Sequence, residues 1–256
     1  ASLEREVGAG LFTRTTRAVT LSSGGADYLA RVEPILAALD EADHAARGAS
    51  EMRGTLRVAV AVSLGVRELI PRLPRFLARH PALRLDLLMD DARHDLVREG
   101  VDVAIRVGGA TGASATVRRL GTIPRIVAAA PGYLERAGTP ASPADLAKHL
   151  VVGGPIATAA DAWTFRRGSR TVTVRVEGRV KASANEGAVA AAVAGLGIIS
   201  TGLWGCRAEL ARGALVPILA DWTMPSTDVH AVLPAGRAAK ASARALVDYL
   251  VGELAG

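Results

Sequence analysis

Thr55-Leu56-Arg57-Val58-Ala59-Val60-Ala61-Val62 is the stretch that decides the fold. It is an apolar, β-rich run with one charge, the composition of a strand buried on both faces of a parallel sheet. Ser63-Leu64-Gly65 follows. A helical pattern then covers 67–79, with Leu69, Leu73, Phe76 and Leu77 on one face and Pro71 and Pro74 in its early turns. Leu83 to Met89 reads as a second strand. Asp91 reads as the cap of a short helix ending at Gly100, and Val101 to Val107 as a third strand. Two βα units in succession imply right-handed crossovers on a doubly wound sheet.

Toward the C-terminus the pattern continues with shorter elements. Ile126 to Ala130 is a strand, Pro131 starts a short helix, and Ser142-Pro143-Ala144-Asp145 starts another with Pro at its first position. Leu150 to Val152 is a strand. Ala162 to Arg166 and Thr171 to Val176 flank Gly168-Ser169, which predicts a hairpin. Ser183-Ala184-Asn185-Glu186 matches a capping box. Gly195 to Ser200 is a buried strand, Thr201 opens the next helix, Val229 to Leu233 is a strand, and Arg237 to Leu254 is a closing amphipathic helix. The order predicts an α/β chain of two lobes, its last strand and helix returning to the first.

Toward the N-terminus, Leu3 to Gly8 reads as a helix end closed by glycine. Leu11 to Leu21 reads as an exposed, basic hairpin. Ser22 caps a helix in which Tyr28, Val32, Ile35, Leu39, Ala42 and Ala46 form an a/d seam opposite Arg31, Glu33, Asp40, Glu41 and Asp43. Pro34 should bend that helix or begin it afresh. Gly48 to Gly54 is a linker.

The chain has 256 residues, half of them hydrophobic, enough for a substantial core and too many for a disordered chain. The single cysteine, Cys206, excludes a disulfide framework and a Cys-rich zinc site, and is expected in the core. There is no apolar run of the roughly 20 residues that cross a bilayer, and no charged-then-apolar leader, so the expectation is a cytoplasmic protein without a membrane partner. The net charge of +6 reads as spread along the chain after residue 57, a weak pointer to DNA. His44, His80, His94, His149 and His230 are scattered without metal spacing. Asp90, Asp91, His94 and Asp95, the densest polar cluster, read as a solvated helix start. Ser63 lacks the glycine two residues earlier that a nucleophile elbow requires. Gly195-Leu196-Gly197 lacks the third glycine of a dinucleotide loop. The expectation is therefore no enzyme, no cofactor and no metal. Binding is better supported: Ser63-Leu64-Gly65, Arg106-Val107-Gly108-Gly109, Asn185-Glu186 and Thr201-Gly202 are small polar corners at strand-to-helix junctions, where free N–H groups favour a carboxylate or similar anion.

Leu3-Glu4-x-Glu6-x-Gly8-x-x-Leu11-Phe12-x-Arg14-x-x-Arg17-x-Val19-x-Leu21-Ser22 resembles the end of the DNA-binding domain of LysR-type transcriptional regulators. The resemblance runs on through Leu69-Ile70-Pro71 and His80-Pro81. It is most specific at Asp95-Leu96-Val97-x-Glu99-Gly100-x-Asp102-Val103-Ala104-Ile105-Arg106-x-Gly108, similar to the subgroup carrying an Asp-Val-Ala-Ile-Arg-x-Gly signature. It implies a remnant of a winged helix-turn-helix over 1–22, a dimerising linker helix and hinge over 23–53, and an effector-binding domain over 54–256 like periplasmic binding proteins. Lobe I would comprise 54–125 plus 228–256, and lobe II 126–227. Arg14, Thr16 and Arg17 would touch DNA phosphates, although with most of the helix-turn-helix missing the chain alone is not expected to bind DNA specifically. Ser63, Leu64, Arg106, Gly108, Asn185 and Thr201 would line the effector cleft, with Ser63 holding an effector carboxylate. The implied partners are promoter DNA, a small-molecule effector, further copies in a homodimer or homotetramer, and RNA polymerase. Competing readings are a transport-type solute-binding protein and an enzyme of the porphobilinogen deaminase kind; the latter needs an exposed reactive cysteine.

Overall fold

The computed structural model describes residues 2–14, 18–46, 52–92, 95–109, 115–154 and 162–254. Helix α1 (Ser2–Val7) ends at Gly8, which takes φ +72°. Strands β1 (Phe12–Arg14) and β2 (Val19–Leu21) pair antiparallel as the sequence predicts; Thr16 and Arg17 lie outside the described residues. Ser22 Oγ accepts a hydrogen bond from the Gly25 N–H and starts α2 (Ser23–Ala46). A Cβ on Gly25 would lie 1.9 Å from the Leu11 carbonyl oxygen, so only glycine lets the hairpin rest on this helix. Helix α2 runs through Pro34 as one element and does not begin afresh there.

The first sheet contains β3 (Gly54–Val60), β4 (Leu83–Met89), β5 (Val103–Val107), β6 (Thr116–Ile123) and, from the far end of the chain, β14 (Thr227–Leu233), in the order β4-β3-β5-β14-β6. Strands β3, β4 and β5 are parallel in the expected register of βα units. β14 runs antiparallel to both β5 and β6, so the sheet is mixed rather than purely doubly wound. β6 has no counterpart in the sequence reading, because its first four residues, Thr116-Val117-Arg118-Arg119, are exposed and break any apolar pattern.

Pro124 carries the chain into a second sheet. It contains β7 (Arg125–Ala129), β8 (Val151–Gly153), β11 (Gly178–Lys181), β12 (Ile198–Gly202) and β13 (Val216–Ile218), in the order β11-β8-β12-β7-β13. Between them lie α5 (Pro131–Ala137), a 3₁₀ turn over Pro143–Lys148 closed by a Ser142/Asp145 capping box, and α6 (Asn185–Val193). Strands β9 (Ala162–Arg167) and β10 (Arg170–Arg175) form the expected hairpin. After β12 come a 3₁₀ turn (Leu203–Gly205) and α7 (Arg207–Ala211), and the chain closes with α8 (Ala241–Leu254).

Each sheet has its own core. Leu56, Val58, Phe76, Ile105, Leu246 and Leu250 fill the first; Val127, Tyr133, Trp163, Phe165 and Ile198 fill the second. Trp204 joins them: it follows β12 of the second sheet yet packs into the first core, where a Cβ on Gly121 would lie 3.0 Å from its ring. Asp102, the first residue of the signature, is structural. It pairs with Lys240 at 3.0 Å and accepts the Arg57 N–H at 2.9 Å, tying β5 to the approach of α8.

Four local expectations are corrected. Helical structure begins at Val62, not Arg67: α3 (Val62–Leu64) is continued by a π turn (Gly65–Leu69), a 3₁₀ turn (Ile70–Arg72) and α4 (Leu73–Arg79). Pro71 and Pro74 have no N–H to give to the carbonyls four residues back, which forces these changes of helical register. Residues 96–100 form turns rather than the end of a helix capped by Asp91. Thr201 lies inside β12 instead of opening a helix. Ala184, without a side-chain cap, precedes α6 in place of the Ser183/Glu186 capping box. In the last case the Glu186 carboxylate has a stronger cationic partner.

Candidate functional site between the two sheets

That partner is Arg67. Starting the helix at Val62 puts Ser63 and Arg67 one turn apart, on the same side. Both face α6 and α7 of the second sheet. The Arg67 guanidinium donates Nε–H to Glu186 Oε1 at 2.6 Å and Nη2–H to Glu186 Oε2 at 2.8 Å. The same guanidinium donates Nη1–H to Glu209 Oε2 at 2.8 Å and Nη2–H to Glu209 Oε1 at 3.2 Å. One cation is thus held by two forked carboxylates, the geometry that suits arginine and not lysine. The Arg67 side chain is 16% exposed and that of Glu209 8%, so water screens this pairing poorly.

Around the guanidinium runs a chain of further hydrogen bonds. Ser63 Oγ–H donates to Glu186 Oε1 at 2.8 Å and accepts from Asn185 Nδ2 at 3.1 Å. Asn185 Oδ1 accepts from Thr201 Oγ1 at 2.7 Å. Asp91 closes the other edge, taking the Val62 N–H on Oδ1 at 3.0 Å and the Asn185 N–H on Oδ2 at 3.3 Å. It therefore caps the first turn of α3 and the first turn of α6, one from each sheet. Gly205 makes room for the cluster: a Cβ there would lie 2.6 Å from Asn185 Nδ2.

The electrostatics follow from the pairing. Hydrogen bonds from Arg67 and then Ser63 outweigh burial and hold the Glu186 carboxyl below its ordinary range. Burial by itself would raise Glu209, but the Arg67 hydrogen bond and the Arg67 and Arg212 charges outweigh it, so Glu209 is lowered too. Arg67 is raised by the same hydrogen bonds. Cys206, close by and fully buried, has its thiol pushed up to about 11, first by burial and then by the Glu209 charge.

The sequence-predicted residues are distributed unequally. Ser63, Asn185 and Thr201 meet directly. Leu64 turns its side chain into the first core. Arg106 and Gly108 sit at the end of β5: Arg106 Nη1 donates to the Ala92 carbonyl at 3.4 Å, and Gly108, at φ +87°, donates its N–H to the Asp228 carbonyl. Arg67, Glu209 and the bridging role of Asp91 were not read from the sequence. The Ser63-to-Arg67 spacing of four was the available signal, but it carries meaning only if the helix starts before Ser63. Among the described residues no group of three His, Cys, Asp or Glu side chains could hold a metal ion, and no helix is long and apolar enough to cross a membrane.

Residues 49–255 match the LysR substrate binding domain family. The chain belongs to the LysR family of transcriptional regulators. An HTH-type transcriptional regulator of Xanthomonas campestris is 32% identical to it over 98% of this chain and 75% of its own length. Another, from Haemophilus influenzae, is 31% identical over 91% of this chain and 82% of its own. Among solved structures, the LysR-type regulator CrgA of Neisseria meningitidis superposes with a TM-score of 0.73 at 28% identity, covering 100% of this chain and 87% of that one. The Vibrio cholerae virulence activator AphB, in its full-length form, superposes at 0.69 with 25% identity, covering 98% and 86%. The regulator thus shares its two-lobed α/β architecture with full-length family members. These relatives and structural neighbours are transcription regulators.

Proposed function

We propose that this regulator senses a small carboxylate bound between its two sheets and transmits the signal to promoter DNA through a change of oligomer geometry. The observation that carries the reading is that Ser63 and Arg67 already hold a carboxylate, that of Glu186. An effector carboxylate exchanges for Glu186 at the same donors, one negative charge for another, so Arg67 stays neutralised throughout. Glu186 is the partner able to leave: its side chain is 32% exposed, against 8% for Glu209. Ser63, Asn185 and Thr201 bind the incoming ligand, with Leu64, Arg106 and Gly108 bordering it. Releasing Glu186 removes the charged tie of α6 to α3, leaving the Ser63–Asn185 and Asp91 hydrogen bonds as the contacts a re-orientation of the sheets must change, the differential contact a two-state switch needs.

Residues 54–256 are the sensing domain in this reading, and 1–22 a remnant of the winged helix-turn-helix, with Arg14, Thr16 and Arg17 meeting phosphates. Helix α2 within 23–53 pairs copies of the chain: Ile35 and Leu39 are 65% and 57% exposed on it, an apolar surface that a partner helix would bury. The test is a thermal-shift panel of mono- and dicarboxylates against the wild-type chain and Ser63→Ala. A ligand that stabilises the wild type and not the variant supports the reading. Stabilisation that survives Ser63→Ala puts the ligand elsewhere and refutes the assignment.

A further inference from the structure

The positive charge is concentrated, and in a place that the sensing cleft does not use. Residues 162–181 contain Arg166, Arg167, Arg170, Arg175, Arg179 and Lys181 against Glu177 alone, a net +5 of the chain's +6. Arg166, Arg167, Arg170 and Arg175 lie on the β9–β10 hairpin, Arg179 and Lys181 on or beside the edge strand β11 of the second sheet, and all six basic side chains are exposed. Arg167 and Arg170 lie over the Trp222 ring, 4.8 and 5.6 Å from its centroid. Among the described residues, none of the five arginines pairs with a carboxylate, whereas arginines elsewhere, such as Arg57, Arg75 and Arg119, do.

The hairpin has two distinct faces. Trp163, Phe165 and Val174 turn into the second core. The opposite face presents Thr164, Arg166, Thr171, Thr173 and Arg175, with Arg166 beside Thr171 and the Thr164 and Thr173 hydroxyls 3.0 Å apart. Mutual backbone hydrogen bonds of 2.8 Å between Arg166 and Thr223 fix the ribbon to the domain. Four residues separate the Arg166 and Arg175 rows, about 14 Å at ~3.4 Å per residue.

We propose that this face is a second DNA-contacting surface, which binds the phosphate backbone of double-stranded DNA without reading its sequence. Arginine and threonine are the side chains that meet phosphate oxygens. The rows lie about four nucleotide rises apart along one strand, at ~3.4 Å each. The one apolar side chain of this face is the Ala162 methyl opposite Arg175, so the face lacks the large apolar and aromatic anchors on which protein partners depend. It also lacks the stacking platforms that single strands need. The proposal does not depend on what the cleft binds.

The experiment is fluorescence anisotropy of a labelled duplex of arbitrary sequence, titrated with the chain across roughly 50–200 mM salt. Arg166→Gln/Arg175→Gln is compared with Arg84→Gln/Arg237→Gln, which removes the same charge from other exposed positions, and circular dichroism confirms that both variants fold. The hairpin variant should lose about tenfold in affinity, and the slope of log affinity against log salt should fall by about 2, while the control changes little. Equal behaviour of the two variants, or no duplex binding by the wild type, overturns the proposal. Tighter binding to polyglutamate than to the duplex also overturns it, and assigns the face to an acidic protein.

Discussion

Replacing Arg67 by methionine removes the cation shared by Glu186 and Glu209 and leaves two carboxylates facing each other between the sheets. Breaking a fully buried pair by deleting one partner costs about 3–5 kcal/mol. Here Glu209 stays buried, but Glu186 is 32% exposed and can turn to water, which lowers the expected loss to about 2–3 kcal/mol. In a chain of this length each kcal/mol moves the melting temperature by about 2–4 °C, so Arg67→Met should melt roughly 4–12 °C below the wild type near neutral pH. Arg67→Lys should recover less than half of that, since an ammonium cannot fork to both carboxylates. The pH dependence gives an independent check. Both carboxyls titrate lower in the folded chain than their ordinary value of 4.5, so the stability they contribute is present above 4.5 and is lost as pH falls through the lower folded values. The gap between wild type and Arg67→Met should therefore be widest near neutrality and close as pH falls below 4.5 through the lower folded values. Melting curves by circular dichroism across that range measure it. A difference under about 1 °C at neutral pH, or a gap that persists unchanged in acid, would refute the reasoning.

Further outcomes follow from neighbouring geometry. Gly205→Ala drives a methyl against Asn185 Nδ2 and should cost about 1–3 kcal/mol in denaturant melts; a neutral result would mean that the cluster has slack. Cys206, 0% exposed with its thiol pushed up to about 11, should react with a thiol reagent at mildly alkaline pH only as fast as the chain opens, and rapid labelling of the folded protein would contradict its burial. Ile35→Glu/Leu39→Glu places charge on the exposed apolar stripe of α2 and should convert a dimer to a monomer by light scattering, without lowering the melting temperature of the sensing domain.

Much of the fold is legible because its strands are simple. β3, β4 and β5 are apolar runs between helices, and the β9–β10 hairpin turns at Gly168-Ser169, where the residues themselves mark it. β6 is not legible, since Arg118 and Arg119 lie on its exposed half, and their partners Asp248 and Asp228 are far away in sequence. The site divides in the same way. Ser63 and Asn185 stand at corners that any α/β reading marks, and they meet Thr201, which lies inside β12. Arg67 is hidden because Pro71 and Pro74 point to a later helix start, while the π turn that absorbs them leaves no pattern in the residue types. Asp91 is legible as a cap but not as a cap of two helices more than ninety residues apart in sequence, because that pairing exists only once the sheets face each other.

The seat between the sheets is the central claim, and Glu186→Gln tests it most directly. Glutamine keeps the side-chain shape but gives up the charge that competes for Arg67. The affinities of wild type and variant for the same carboxylates, measured by isothermal titration, should differ in a definite direction. The variant should bind about tenfold tighter, because its intramolecular competitor is weakened. Equal or weaker binding by Glu186→Gln, or no binding to either protein across the panel, would contradict the account.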